Sequence, residues 1–145
     1  WAAVMTCVWS APDAGAEIVT PGFRAGVYTD VDQGFLGGDV LMPLAPRWYL
    51  NPGLEVVLLD DGTYVTLNGD VHRDFTTRSE ALLWGAAGPA VSYVDPGRGA
   101  DSEIDAGINV FMAIGTELGA LIPYFQVKTV LGDGDSLVLS FGLRF

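Results

Sequence analysis

The last nine residues of the chain, Leu137 to Phe145, alternate between apolar side chains and small or polar ones. One register contains Leu137, Leu139, Phe141, Leu143 and Phe145, and the other contains Val138, Ser140, Gly142 and Arg144. A period of two indicates a β-strand with one apolar face and one mostly polar face. Because the termini of soluble proteins tend to fray into water, a terminal strand this apolar favours a transmembrane β-barrel.

Seven further extended stretches precede this one, and each is bounded by residues that favour turns. The predicted strands cover residues 23–31, 35–44, 48–59, 64–75, 81–93, 104–115, 122–131 and 137–145. The register of the fifth is ambiguous, because Ala and Gly fill both of its faces. Strands of about ten residues suit a membrane span tilted by about 45°. The chain shows no alternation of strands with helices, so we do not expect a parallel sheet.

Alternation alone leaves open which face lies inside the barrel. The apolar face is bulky, with Trp48 and Phe125, whereas the other face contains glycines and charges of both signs. An eight-stranded interior is narrow and suits small side chains, and opposite charges confined there can pair. We therefore predict apolar side chains outside and a polar network in the lumen. The predicted network contains Arg24, Asp39, Glu55, Asp70, His72, Lys128 and Arg144.

Composition agrees with this interpretation and excludes other classes. Half of the 145 residues are hydrophobic and the mean hydropathy is +0.34. Even so, no apolar run approaches the roughly 18 residues that a spanning helix needs. The net charge of −11 argues against nucleic acid as a partner, because phosphates require a basic surface. With Cys7 as the only cysteine, no internal disulfide is possible.

The predicted turns differ in charge between the two ends of the barrel. We call the end that holds the start of the first strand the near end, and the opposite end the far end. Arginines cluster at the near end: Arg47, Arg73, Arg78 and Arg144. Acidic residues cluster at the far end: Asp32, Asp60, Asp61, Asp95, Asp101, Glu103, Asp133 and Asp135. The longest loop, residues 95–101, also lies at the far end, as expected for the extracellular side.

Residues 1–17 form an apolar segment ahead of the predicted barrel domain, residues 18–145. Ala14-Gly15-Ala16 is similar to a signal-peptide cleavage site, so the segment is either a retained extension or a residual signal. We favour the extension, which would need a cover of lipid, barrel or a neighbouring copy. The candidate intermolecular contacts are Trp1, Cys7 and Trp9.

The candidate chemistry is weak. His72, the only histidine, shares a strand face with Asp70 and Asp74, as a general base oriented by a carboxylate would. The chain has no Gly-x-Ser-x-Gly motif, and a hydrogen-bonded lumen histidine is the simpler interpretation. The Asp95–Asp105 loop and Asp133-Gly134-Asp135 could hold Ca²⁺ or bridge a divalent cation to lipopolysaccharide, but they lack the full EF-hand spacing, and solvated acidic loops are the simpler interpretation. We predict no catalytic residue, no cofactor and no metal site.

Two smaller expectations concern packing. Lys128 is expected to form a structural pair with Glu55 or Asp70 that plugs the lumen, although such a pair could also gate a pore. Four aromatic residues are candidates for the belts at the two membrane interfaces: Trp48, Tyr49, Trp84 and Tyr93.

Three motifs resemble the small outer-membrane β-barrel family of Gram-negative-type bacteria, the eight-stranded OmpA/OmpX-like barrel domains. Tyr49-Leu50-Asn51-Pro52-Gly53-Leu54 resembles the family's third strand, and Thr66-Leu67-Asn68-Gly69-Asp70-Val71 resembles its fourth. The region from Pro123 to Phe145 resembles its closing hairpin. The resemblance implies an all-β, eight-stranded antiparallel up-and-down (meander) transmembrane β-barrel in the bacterial outer membrane.

The resemblance also implies partners. The terminal Phe145, with Phe141 and Leu143, is similar to the signal that the barrel-assembly machinery reads. Outer-membrane lipid or lipopolysaccharide would surround the barrel. The expected role is structural or interactive, with a filled polar lumen and neither catalysis nor transport.

Three alternatives stay open at this point. The chain could be a barrel subunit of a larger or filamentous extracellular assembly, or a homo-oligomer, formed through residues 1–16. It could be a soluble lipocalin-like ligand-binding barrel with an apolar cavity. It could also be a lipid-modifying barrel enzyme that depends on His72.

Overall fold

The computed structural model describes residues 19–60, 62–75, 80–97, 101–132 and 135–145. These residues form eight strands: β1 (Thr20–Tyr28), β2 (Gln33–Ala45), β3 (Trp48–Val57), β4 (Thr63–Phe75), β5 (Ala81–Asp95), β6 (Glu103–Thr116), β7 (Ile122–Leu131) and β8 (Ser136–Arg144). None of the described residues belongs to a helix long and apolar enough to cross a membrane. The predictions for Trp1, Cys7, Trp9 and the rest of residues 1–17 lie outside the described residues, as do those for Asp61, Arg78 and Asp133.

Each strand pairs antiparallel with the next strand in sequence, and β1 pairs with β8 to close the barrel. Closure leaves no sheet edge, so backbone amides and carbonyls find partners within the barrel wall. The predicted eight-stranded meander is confirmed. The strand bounds differ from the predicted ones by a few residues; β3, for example, ends at Val57 rather than at residue 59.

Turn chemistry agrees with the short connections. Between β3 and β4, Gly62 has a φ of +92°, which disfavours a side chain. A Cβ on Gly62 would also collide with the backbone carbonyl of Asp95, so glycine is required on two counts. In the β2–β3 turn, Pro46 is followed by Arg47 in the left-handed region, with a φ of +67°.

Side-chain orientation follows the predicted registers. Phe141 is 58% exposed and Phe125 is 46% exposed, whereas Glu55 and His72 are 0% exposed. Every strand contributes exposed apolar side chains to the outer surface, among them Phe23, Leu36, Leu54, Leu67, Val91, Val110, Val127 and Leu137. A continuous apolar band of this kind is unfavourable in water and is the usual outer surface of a membrane barrel.

In β5, the alternation of residue types was not sufficient to predict which side chains face the lumen. Trp84 points into the barrel and is only 2% exposed, so its prediction as an interfacial residue is wrong. Tyr49 also faces inward and contacts the ring of His72, with 5.4 Å between ring centroids. The alternating Ala and Gly residues of β5 conceal which face is buried. Trp48 and Tyr93, each 40% exposed, face outward as predicted.

Aromatic clusters occupy both ends of the lumen. The near-end cluster contains Trp84, Ala86, Phe111, Ala113 and Tyr124. The far-end cluster contains Tyr28, Phe35, Val57 and Val138. Small residues make room for these rings: a Cβ on Gly142 would enter the ring of Tyr124. The polar network therefore lies between two apolar layers.

Candidate functional site

Glu55, on β3, is the centre of the lumen network. Lys128 of β7 donates hydrogen bonds from Nζ to both carboxylate oxygens of Glu55, at 2.7 and 2.6 Å. Arg24 of β1 reaches the same carboxylate through Nε at 3.1 Å and Nη2 at 2.9 Å. The hydroxyl of Tyr28 also donates to Glu55. With donors from several directions, this buried charge has the partners that burial requires.

Asp39, on β2, extends the network toward the near end. It accepts a hydrogen bond from Asn51 at 2.6 Å and forms an ion pair with Arg144 at 3.2 Å. Arg24 lies between the two carboxylates, 3.6 Å from Asp39 through Nη1. The result is an alternating series, which we call the ionic chain. It runs in the order Lys128, Glu55, Arg24, Asp39 and Arg144.

The remaining two predicted network residues lie apart from the ionic chain. Asp70 accepts a long hydrogen bond of 3.4 Å from Asn109, which donates a shorter one of 2.5 Å to Asn68. Lys128 pairs with Glu55, and no ion pair between Lys128 and Asp70 occurs within 4 Å in the described residues. The structure thus places all seven predicted residues inside the lumen and links five of them directly.

His72 belongs to the near end. Its Nε2 lies 2.8 Å from Asp74 Oδ1, and its ring stacks on Trp84 at 5.9 Å between centroids. Its Nδ1 has no hydrogen-bond partner among the described residues. The pair with Asp74 fixes the imidazole, as it would for a structural histidine.

Several lumen residues were missing from the predicted network. Tyr28, Asn51, Asn68, Asn109 and Gln126 are 5% exposed or less. All of them lie on the polar registers of their strands, so alternation was the signal that could have identified them. Trp84 gave no such signal, because its strand is ambiguous.

A cavity opens at each end of the ionic chain. The far-end cavity, the far vestibule, has a volume of about 310 Å³ and lies above Tyr28 and Thr66. The near-end cavity, the near vestibule, has a volume of about 240 Å³ and lies against Trp84 and Arg144. Among the described residues, no three His, Cys, Asp or Glu side chains are placed together to hold a metal ion.

A closed antiparallel barrel of eight strands, apolar outside and hydrogen-bonded within, defines the class of small transmembrane β-barrels. Solved structures with this fold include the N-terminal β-barrel domain of Pseudomonas aeruginosa OprF, with a TM-score of 0.75, 12% identity, and coverage of 88% of this chain and 95% of that domain. Neisserial surface protein A aligns with a TM-score of 0.68 and 11% identity over 87% of this chain and 94% of its own.

The attachment invasion locus protein Ail of Yersinia pestis also shares the fold, with a TM-score of 0.57 and 10% identity over 88% of this chain and 96% of its own. All three relatives by structure are eight-stranded outer-membrane barrels. At these identities the comparison shows the fold. No protein-family model and no curated protein sequence matches the chain.

Proposed function

We propose that the protein is a bacterial outer-membrane β-barrel with a filled lumen, in a structural or interaction role without catalysis or solute transport. The ionic chain carries this proposal, because it crosses the lumen between two aromatic layers. The interior of an eight-stranded barrel is just wide enough for side chains to fill, so such side chains leave no room for a channel. A lipocalin-like barrel would instead enclose an apolar cavity.

The proposed location rests on the outer surface and on the fold. The apolar band faces lipid, and the structural relatives are outer-membrane proteins. Phe141 and Phe145, at 58% and 60% exposure, present aromatic side chains outward near the chain end, where the barrel-assembly machinery would read them. Lipid or lipopolysaccharide would contact the band, and the far end would face outward.

The proposal of a non-catalytic role rests on the near end. A hydrolytic site needs a nucleophile within hydrogen-bond reach of its base. His72 has Asp74 as its only hydrogen-bond partner in the described residues. A further role for residues 1–16 in a larger assembly stays a prediction, since those residues are outside the described ranges.

Conductance measurements in planar lipid bilayers test the filled lumen. We expect no steady current from the unmodified barrel. A triple variant, Arg24→Ser, Glu55→Ser and Lys128→Ser, should conduct, because it removes the centre of the ionic chain. The control Gln126→Ser shortens a lumen side chain outside the ionic chain and should stay silent. Steady current from the unmodified barrel would contradict the proposal, whereas a folded triple variant without current would show that the aromatic layers, rather than the ionic chain, close the lumen.

A further inference from the structure

The far vestibule is a concave site that the lumen network leaves open. Its volume of about 310 Å³ is at the lower end of the range for small-molecule sites, about 300–1,000 Å³. Tyr28 and Thr66, at 1% and 2% exposure, form its floor directly above Glu55. Tyr64, Ser92 and apolar side chains from β5 and β7 form its walls, together with Leu59 from the turn after β3.

The charge of the far vestibule has one sign. Among the described residues, which do not include Arg98 of the far-end loop, Asp30 and Asp105 are the only Asp, Glu, Lys or Arg side chains that line it. Further described carboxylates lie in the turns and strand ends of the same end of the barrel: Asp32, Asp60, Asp95, Asp101, Glu103 and Asp135. Among the described residues, no Lys or Arg lies in the turns of this end. An acidic mouth around a low-dielectric wall concentrates cations and speeds their arrival.

The charges beneath the floor do not offset this field. The lumen network contains three basic residues, Arg24, Lys128 and Arg144, and three acidic ones, Asp39, Glu55 and Asp70, so its formal charge is zero. Lys128, the basic residue nearest the floor, already donates to both oxygens of Glu55. A cation in the far vestibule would therefore meet an acidic rim above a neutral floor.

The lining favours an organic cation over a metal ion. Ca²⁺ takes six to eight oxygen ligands, whereas the described residues bring no three acidic side chains together. The far vestibule instead combines separated carboxylates with apolar surface from Val94 and Val130, and with the ring of Tyr64. Methylene groups fit apolar walls, and an ammonium group is attracted to an aromatic face.

A buried hydroxyl supplies a further contact. Thr66 is 2% exposed and lines the far vestibule, and its Oγ1 makes no hydrogen bond within 3.5 Å in the described residues, although the hydroxyls of Tyr28 and Tyr64 lie beside it. An unpaired polar atom at this depth costs free energy, which a ligand donor would offset. An ammonium N–H can donate to this oxygen and to a carboxylate at the same time.

We propose that the far vestibule binds a small organic diammonium ion, two ammonium groups joined by a short methylene chain. Asp30 follows β1 and Asp105 lies on β6, with β7 and β8 between them around the wall. Each carboxylate would accept hydrogen bonds from one ammonium, and the methylene chain would lie against the apolar walls between them. This site adds binding at the outer mouth to a barrel that does not conduct.

Calorimetric titration of the folded protein in uncharged detergent micelles tests the site. The probe is 1,5-diaminopentane, and its neutral counterpart 1,5-pentanediol has the same chain length. We expect saturable one-to-one binding of the diamine and none of the diol. Asp30→Asn and Asp105→Asn should each weaken binding by about tenfold, as loss of a charge-assisted hydrogen bond predicts. Thr66→Val should weaken it by roughly threefold.

Two matched variants separate the far vestibule from its rim. Asp101→Asn and Asp135→Asn remove the same charge from the same end but outside the lining, and should change the affinity less than about twofold. Heat-modifiable gel mobility confirms that each variant is folded. Equal weakening by all four Asn variants would show diffuse attraction only. That result, binding of the diol, tighter binding of Ca²⁺ than of the diamine, or no saturable binding would each overturn the proposal.

Discussion

The two mouths of the barrel are built from similar parts but differ in whether their charged side chains have partners. Each has an aromatic cluster and a cavity of a few hundred Å³. At the near mouth, Arg144 lies over the rings of Trp84 and Tyr124 and pairs with Asp39. The far mouth has carboxylates without a described basic partner in its turns. The near mouth thus satisfies its charges internally, whereas the far mouth presents them outward.

The near mouth is also less basic than its arginines alone indicated. Asp74 and Glu117 line the near vestibule beside Arg144. Arg73 is used locally, since its guanidinium lies 4.8 Å from the ring of Trp48 on the outer surface. Within the part of the chain that the structure describes, the predicted contrast of acids against arginines is therefore a contrast between carboxylates without an ion pair and arginines with ring or carboxylate contacts. Local pairing restricts side chains, so we expect substitutions to affect stability more at the near mouth and ligand binding more at the far mouth.

The largest expected effect comes from disrupting the ionic chain that lies between the two mouths. Lys128→Met leaves the buried carboxylate of Glu55 without its closest cation and should lower the free energy of unfolding by about 3–5 kcal/mol. Urea unfolding in detergent micelles, followed by gel mobility, measures the change. Adding Glu55→Gln to Lys128→Met removes the stranded charge and should recover at least about 1 kcal/mol of that loss. A double variant less stable than the single one would contradict this account.

A smaller effect should follow from filling the space beside the near-mouth ring. A Cβ on Gly142 would enter the ring of Tyr124, so Gly142→Ala should destabilise the barrel by about 1–3 kcal/mol through overpacking. Gly38 is the matched control, because its added Cβ would meet only ordinary contact, 3.6 Å from a backbone oxygen. Gly38→Ala should leave stability unchanged or raise it. If both substitutions lowered the free energy of unfolding equally in the same assay, the loss would come from backbone conformation rather than from packing.

The fold was predictable because a closed barrel imposes one repeating rule on every strand. Seven of the eight strands show a recognisable register, with most bulky apolar groups, such as Phe125, on one face and small or charged residues on the other. The pairing inside was not predictable to the same degree. Lys128 pairs with Glu55 rather than with Asp70. This pairing depends on the stagger of the strands around the barrel wall, which the alternation of apolar and polar residues does not reveal.

The inward orientation of the lumen aromatic residues was also not predictable from the sequence. Trp84 and Tyr49 were expected at the membrane interfaces, since aromatic residues near strand ends are common there. Whether such a ring turns in or out depends on a single register step, and a shift by one residue exchanges the faces. In β5 neither face is distinguished by bulk or charge, so only the pairing of Trp84 beside Ala113 in the neighbouring strand resolves it.

The smallest expected effect compares one carboxylate from each mouth. Asp74 is the hydrogen-bond partner of buried His72, although its own side chain is 43% exposed, so Asp74→Ala should lower the free energy of unfolding by only about 1 kcal/mol. Asp135→Ala removes an exposed far-mouth carboxylate and should produce no measurable change, because its only described contact is a long 3.4 Å hydrogen bond from the backbone of Gly132. Unfolding of both variants at low and high salt separates pairing from screening. If the two substitutions cost the same, the near mouth is not internally paired in the way its geometry indicates.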